Sequence, residues 1–268
     1  MKNNVLYYSV GPLLYCPANR ISITDSLINE RFGNRFSLAL CLEDTINDDH
    51  VEEAEQILIS SLSQIFMQHE QKPILSAKIF IRVRNPQQIQ RLTKALGKSI
   101  KIVTGFIVPK FSPDNAQSYI EQMILVNELV AKKLYMMPIY ESPSIIDLRN
   151  RIDILYLLRD SLARIEDLIL NIRVGGNDLC HMFGFRRHAN ESIHSIRPVS
   201  DIFSDIITVY GMDYVISGPV WEYYAGDSWK EGMIQEIRED RLCGFIGKTV
   251  YPPFTDPCSK QSLSGFTK

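Results

Sequence analysis

The sequence lacks the features that mark several classes of protein. Its five cysteines are widely spread and form no CxxC pair, so we expect neither a disulfide framework nor a zinc site. No apolar run approaches the roughly 18 residues of a membrane span. Residues 1–4 lead into a strand-like run instead of the apolar core of a signal peptide. We therefore expect a cytoplasmic protein with no membrane partner.

An excess of charge of one sign is also missing. The 29 basic and 31 acidic residues are interleaved and give a formal net charge of −2, so no basic surface for nucleic acid is expected. The GxGxxG motif that would follow the first strand of a dinucleotide-binding fold is absent as well. A doubly wound open sheet is therefore the second choice of fold.

The dominant positive feature is an alternation of short β-type runs with segments of helical period. The predicted strands are Leu13–Cys16, Leu38–Leu42, Ile79–Val83, Phe106–Val108, Met136–Tyr140, Leu168–Val174, Tyr214–Ile216 and Phe245–Val250. Eight such units in 268 residues, 45% of them hydrophobic, predict an α/β protein with a single-domain (β/α)8 TIM barrel. We assign residues 1–258 to the barrel and the polar residues 259–268 to a flexible tail.

Charged and polar residues gather at the predicted carboxyl ends of these strands, where the active sites of TIM barrels lie. The residues are Asn19, Arg20, Glu43, Asp44, Arg82, Arg84, Lys110, Glu141, Gly176, Asn177 and Asp178. A structural protein has no need of so many ionisable groups in one mouth. The pattern favours a site that binds an anionic substrate through a metal.

The sixth strand end has the most distinctive local sequence. The apolar run from Leu168 breaks at Gly175 and Gly176 and reaches a carboxylate at Asp178, which places free backbone and a hard oxygen ligand together. A strand-to-helix turn in which Asp178 caps the following helix is the alternative.

Seven motifs, taken in order, resemble the citrate lyase β-subunit and HpcH/HpaI aldolase superfamily. More narrowly, they resemble the citrate-lyase-like C–C bond lyases of tellurite-resistance type operons. The motifs are LLYCPANR (13–20), LED (42–44), IRV (81–83), VPK (108–110), YESP (140–143), GNDL (176–179) and GFIGK (244–248). Together they span nearly the whole chain.

The resemblance implies a role for each matched residue. Glu141 and Asp178 would bind Mg²⁺, Arg82 would bind a substrate carboxylate, and Glu43 and Asp44 would hold metal waters or position Arg82. The remaining residues predicted to bind substrate are Arg84, Asn19, Arg20, Lys110, Gly176 and Asn177. Arg84 stands where the family pattern has Asn, and strict alternation would put it on the same face as Arg82, so which of the two arginines faces the mouth is open. Lys110 is expected to neutralise charge or support structure instead of forming a Schiff base.

The activity implied is that of a Mg²⁺-dependent carbon–carbon lyase. It would cleave or form a 2-oxo acid or acyl-thioester substrate through a metal-stabilised enolate, in a homo-oligomer, a trimer or a hexamer. One alternative is an HpcH/HpaI-like 2-oxo acid aldolase that does not use coenzyme A. Another is a catalytically lapsed barrel that binds a metabolite or a protein partner. Tyr251 favours this last reading because it stands where the family has His.

Two further groups lie after the sixth strand. The spacings of His181, His188 and His194 fit no common metal-ligand pattern, so we expect solvated or hydrogen-bonded side chains. The pair Arg186 and Arg187 either reaches an acidic arm of the substrate or is simple surface charge.

Overall fold

Eight parallel strands form a closed barrel in a computed structural model that describes residues 4–29, 36–72 and 77–251. The strands follow one another in chain order, and the first pairs with the eighth. They are β1 (Pro12–Pro17), β2 (Ser37–Cys41), β3 (Lys78–Arg82), β4 (Val103–Val108), β5 (Tyr135–Tyr140), β6 (Ile172–Val174), β7 (Ile216–Trp221) and β8 (Lys248–Val250). The predicted TIM barrel is confirmed.

Helices cover the outside of the barrel. They are α1 (Ser22–Ile28), α2 (Val51–Gln71), α3 (Pro86–Leu96), α4 (Ala116–Leu129), α5 (Arg151–Ala163), α6 (Gly176–Met182), α7 (Arg197–Tyr210) and α8 (Trp229–Cys243). Local sequence explains their starts: the Asn85 side chain accepts a hydrogen bond from the Gln88 N–H (3.0 Å), and Pro86 supplies a fixed φ at the first position of α3. Within the described ranges, no helix is both long and apolar enough to cross a bilayer.

The barrel interior changes character along its axis. Its lower part is filled by apolar side chains, among them Leu13, Ala39, Phe80, Ile107, Met137, Ile139 and Leu170. Nearer the carboxyl ends of the strands the inward side chains are polar: Tyr15, Arg82, Arg173 and Thr249. Packed side chains therefore form the floor of a polar cavity at one end of the barrel.

Four predicted strands differ from the observed ones by three residues or more at one end. The fourth begins at Val103 instead of Phe106, and the eighth begins at Lys248 instead of Phe245. The other two are the sixth and the seventh. The predicted sixth strand loses its first residues because Glu166–Leu168 forms a 3₁₀ turn, and β6 begins at Ile172. The seventh was predicted to end at Ile216, but β7 runs from Ile216 to Trp221. Gly218 lies within this strand, and a Cβ there would be 2.9 Å from Asp240 Oδ2, which leaves little room for a larger side chain. Helix α1 was not predicted, and the proposed tail at 259–268 lies outside the described residues.

Candidate active site

Arg82 is the centre of an ion-pair cluster at the carboxyl end of the barrel. It is the last residue of β3 and is 5% exposed. Its Nη2 lies 2.5 Å from Glu43 Oε2, 2.6 Å from Asp44 Oδ2 and 3.4 Å from Glu141 Oε1. Carboxylates from the ends of β2 and β5 thus converge on one guanidinium, as expected when parallel strands end at the same edge. The Arg82 Nε is buried and keeps no hydrogen-bond partner among the described residues.

Lys110 ties three of these strand ends together. It follows β4 with a left-handed φ of +49°, and its backbone N–H donates to Glu141 Oε1 (3.2 Å). Its ammonium donates to Glu43 Oε1 (2.7 Å) and lies 3.5 Å from Asp44 Oδ1. Burial alone would lower the pKa of Lys110, but its hydrogen bond to Glu43 and the charges nearby outweigh this and raise the pKa. A protonated amine is no nucleophile, which argues against a Schiff base at Lys110.

Glu141 and Asp178 form a carboxylate pair. Glu141 follows β5 and is buried, and Asp178 lies in the first turn of α6, directly after β6. Burial raises the pKa of Glu141 to about 8; the charge of Asp178 adds to this effect, and Arg82 opposes it. Asp178 Oδ2 is buried without a hydrogen-bond partner in the described part of the chain. Two mutually repelling carboxylates with an unpaired oxygen fit a bound cation.

The two glycines before Asp178 allow this close approach. A Cβ on Gly175 would overlap the Glu141 carboxylate, and a Cβ on Gly176 would meet Ile193 and Pro219. Helix α6 starts at Gly176, and the residue before it has no side chain with which to cap it. Asp178 therefore does not act as the helix cap, and the alternative interpretation of this segment as a simple capped turn is wrong.

Mg²⁺ is the metal that this pair fits. Across residues 4–29, 36–72 and 77–251, no group of three or more His, Cys, Asp or Glu side chains could hold a metal ion. Mg²⁺ commonly takes only one or two protein carboxylates and fills its remaining positions with water and substrate oxygens. Glu141 and Asp178 would supply those two ligands.

A cavity of about 420 Å³, including its opening, lies next to the carboxylate pair. Its lining includes three of the site residues predicted from the sequence: Asp44, Arg82 and Asn177. Asn177 also donates to Glu222 Oε2 (2.9 Å). Tyr251 lies at the wall, where burial raises its pKa to about 12.

Three polar lining residues were not predicted from the sequence: Tyr15, Arg173 and Thr249. They occupy inward positions within strands, whereas the predicted site residues lie at strand ends. Arg173 had a recognisable signal, because it is a lone charge in the apolar run before Gly175.

Five residues predicted to bind substrate are not among the described residues that line the cavity: Asn19, Arg20, Arg84, Lys110 and Gly176. Arg84 lies two residues past the end of β3, so strand alternation no longer applies. Its guanidinium donates to Ile46 O (2.9 Å) and pairs with Asp48 in the segment after β2. Asn19 is exposed, and Arg20 Nε donates to Ser22 Oγ (3.1 Å) at the start of α1. The substrate role of these residues stays a prediction of the sequence.

A second buried charge network lies on the outer side of β8, away from the cavity. Lys248 Nζ lies 2.8 Å from Glu236 Oε1 and 2.7 Å from Asp240 Oδ2, and His194 Nε2 lies 2.7 Å from Asp240 Oδ1. Arg187 pairs with Glu236 in the same network. His194 is thus hydrogen-bonded, as predicted. Arg187 is 3% exposed and paired within the scaffold, so it is not simple surface charge.

The raised pKa of Glu141 gives the metal-free protein a characteristic pH dependence. The folded state holds this proton more tightly than the unfolded chain, in which the pKa is near 4.5. The stabilisation is therefore complete below about pH 4.5 and is lost as the pH rises through about 8. We expect the free energy of unfolding to fall by roughly 2–5 kcal/mol between pH 5 and 9, and Glu141→Gln to remove most of this fall. Urea denaturation in EDTA at a series of pH values measures it, and parallel pH profiles for the two proteins would contradict the assignment.

Comparison with known proteins places this site in context. No curated protein matches the sequence significantly. Among solved structures, the citrate lyase beta subunit from M. tuberculosis complexed with oxaloacetate and magnesium is 15% identical, with 99% of this chain and 100% of that chain covered and a TM-score of 0.59. RipC from Yersinia pestis is 14% identical, with 98% and 97% covered and a TM-score of 0.61. The protein CitE from M. tuberculosis in complex with magnesium, acetoacetate and coenzyme A is 14% identical, with 97% and 81% covered and a TM-score of 0.59.

These structures share the fold, and a family model goes further. The model described as "C-C_Bond_Lyase of the TIM-Barrel fold" matches residues 4–256, which is nearly the whole sequence. This match agrees with the closed barrel and with the order of motifs along the chain. The chain belongs to the C–C bond lyase family of the TIM-barrel fold, which is a family of carbon–carbon lyases.

Proposed function

We propose that this carbon–carbon lyase is Mg²⁺-dependent and cleaves or forms a 2-oxo acid through an enolate. The observation that carries the proposal is the pair Glu141 and Asp178, with a buried unpaired oxygen on Asp178 beside the Arg82 cluster. Similar structures support it, because they are complexes with magnesium and oxaloacetate or with magnesium and pyruvate.

Each residue of the site has a part in this reaction. Glu141 and Asp178 would hold Mg²⁺, which supplies Lewis-acid polarisation of the substrate carbonyl and stabilises the enolate charge. Arg82 is fixed by Glu43 and Asp44 and keeps its Nε–H available for a substrate oxygen. Because the guanidinium is already held in place, it need not reorient as negative charge develops on the substrate.

Asp44 is the carboxylate best placed to move a proton. It lines the cavity, and its side chain is 46% exposed. Burial alone would raise its pKa, but the charge of Arg82, the hydrogen bond with Glu43 and the nearby Lys110 together outweigh burial and lower the pKa. Asp44 is therefore ionised at neutral pH and can accept a proton at the carbon next to the substrate carbonyl.

Exchange of substrate methyl protons with D₂O, followed by NMR, tests the proposal. We expect Mg²⁺-dependent exchange of pyruvate or of acetyl-coenzyme A that stops in EDTA. Exchange of free pyruvate alone would favour the coenzyme A-independent aldolase, and exchange of the thioester alone would favour a citrate-lyase-type substrate. Exchange of neither would overturn the proposal and favour the lapsed barrel, to which Tyr251 in the cavity wall already points. The homo-oligomer, the cytoplasmic location and the tellurite-resistance setting stay predictions of the sequence.

A further inference from the structure

Arg173 is a buried cation whose surroundings are largely neutral. It lies in the middle of β6, in register with Ile139 of β5, and its side chain points into the barrel and lines the cavity. The residue is 2% exposed. Its Nη2 donates to the Thr249 hydroxyl, and Tyr15 is its other hydrogen-bonding neighbour. Its Nη1 has no hydrogen-bond partner within the described ranges.

The two arginines of the cavity differ in how their charge is balanced. Arg82 lies within ion-pair distance of three carboxylates. Arg173, by contrast, has no carboxylate within 4 Å among residues 4–29, 36–72 and 77–251. Burial without a counter-ion disfavours its charge and lowers its pKa. Buried charges in proteins are normally paired, so a missing partner inside a ligand cavity indicates that the ligand supplies the anion.

We propose that Arg173 binds a second carboxylate of the substrate, so that the substrate is a dicarboxylic 2-oxo acid. This inference rests on the proposed function, in which the 2-oxo acid group lies against Glu141 and Asp178. Arg173 lies deeper in the same cavity, beside Val174 and Thr249, where the far end of a short substrate would lie. Its free Nη1 offers donors in the plane of the guanidinium, which suits a carboxylate oxygen.

A pair of matched ligands isolates this contact. Oxaloacetate, freshly prepared, and 2-oxobutyrate share four carbons and the 2-oxo acid group, and they differ by a carboxylate in place of a methyl group. We expect wild type with Mg²⁺ to bind oxaloacetate about 10- to 100-fold more tightly in calorimetric titration, the range of a charged hydrogen bond. In Arg173→Met this preference should fall below about 3-fold, with the affinity for 2-oxobutyrate unchanged. Arg173→Lys, which keeps the charge, should retain part of the preference.

The stability of the variant distinguishes ligand binding from a structural role. Methionine has a similar length and no charge, so Arg173→Met removes an unpaired buried cation and should leave the Tm of the ligand-free protein unchanged or raise it by about 2–4 °C. A fall in Tm together with an equal loss of both ligands would show that Arg173 supports the fold, and would overturn the inference. So would a folded Arg173→Met that keeps the preference for oxaloacetate.

A metal-free arm separates this inference from the proposed function. If wild type binds neither 2-oxo acid and exchanges no methyl protons, the Mg²⁺-dependent function fails. Succinate and butyrate, tested in EDTA by thermal shift, then decide the role of Arg173. Stabilisation of wild type by succinate but not by butyrate, lost in Arg173→Met, supports an anion site at Arg173. Equal effects on the two proteins, or none, would exclude it.

Discussion

Replacing Asp178 with asparagine is expected to lower Mg²⁺-dependent proton exchange on the order of 10³-fold, beyond the 10- to 100-fold cost of changing a residue that only supports a ligand. Asparagine keeps the shape of the side chain but removes one of the two negative charges that would hold the metal. The buried Oδ2 of Asp178 has no hydrogen-bond partner among the described residues, so the substitution breaks no protein hydrogen bond at that atom. Titration with Mg²⁺ and the NMR exchange assay measure the loss.

Stability provides the control for this variant. Asp178 raises the pKa of Glu141 through its charge, so neutralising Asp178 relieves repulsion and should leave the metal-free protein at least as stable as wild type. The same substitution at the exposed Asp153 on α5 should change neither property. An Asp178→Asn protein that binds Mg²⁺ like wild type would show that the metal ligands lie elsewhere.

Replacing Arg82 with methionine should be the most destabilising change in the cavity, at about 3–5 kcal/mol, as found when one partner of a buried ion pair is removed. Glu43 is almost completely buried, and without Arg82 its charge would lose its closest positive partner and repel the charge of Asp44. Urea denaturation at pH 7 measures the loss. Part of it should be recovered at pH 5, where carboxyl groups of raised pKa become protonated.

Lys110 offers a matched comparison for this effect. It pairs with the same Glu43 carboxylate, but its side chain is 52% exposed. Lys110→Met should therefore cost no more than about 1 kcal/mol, the usual scale for a pair in contact with solvent. In the double variant Arg82→Met with Glu43→Gln, the loss should be smaller than for Arg82→Met alone. Equal losses for the Arg82 and Lys110 variants would mean that the cluster is more hydrated than its burial indicates.

The sequence was sufficient to predict the parts of this site that follow from strand order. Parallel strands in a barrel end at one rim, so residues just after separate strands, such as Glu43, Glu141 and Asp178, had to lie close together once the strands were located. The resemblance to the family motifs then indicated which residues at that rim belong to the site. Neither step required knowledge of side-chain contacts.

The parts that could not be predicted depend on where each strand stops and which way its residues face. Arg82 and Arg84 are two residues apart and would face the same side of a continuous strand. However, β3 ends at Arg82 and the chain turns there, so the Arg84 guanidinium donates to the carbonyl of Ile46 instead. Arg173 was not predicted as a site residue. A single charged residue in an apolar strand is not enough to indicate a site until its neighbours across the barrel are known. Arg173 is a candidate ligand-binding residue because it lacks a counter-ion among the residues that the structure describes. A single sequence does not show which charged side chains of distant segments form ion pairs.

In β8, two neighbouring residues have different roles: one supports the scaffold and the next lines the cavity. Lys248 faces outward to the carboxylates of α8, and the next residue, Thr249, faces inward to Arg173. Substitutions at inward positions can thus change the shape and charge of the cavity while the outward ion pairs keep the strand anchored to its helix. Proteins with this barrel can therefore acquire new substrates through changes at the inward, alternate residues of their strands, with little loss of stability of the barrel.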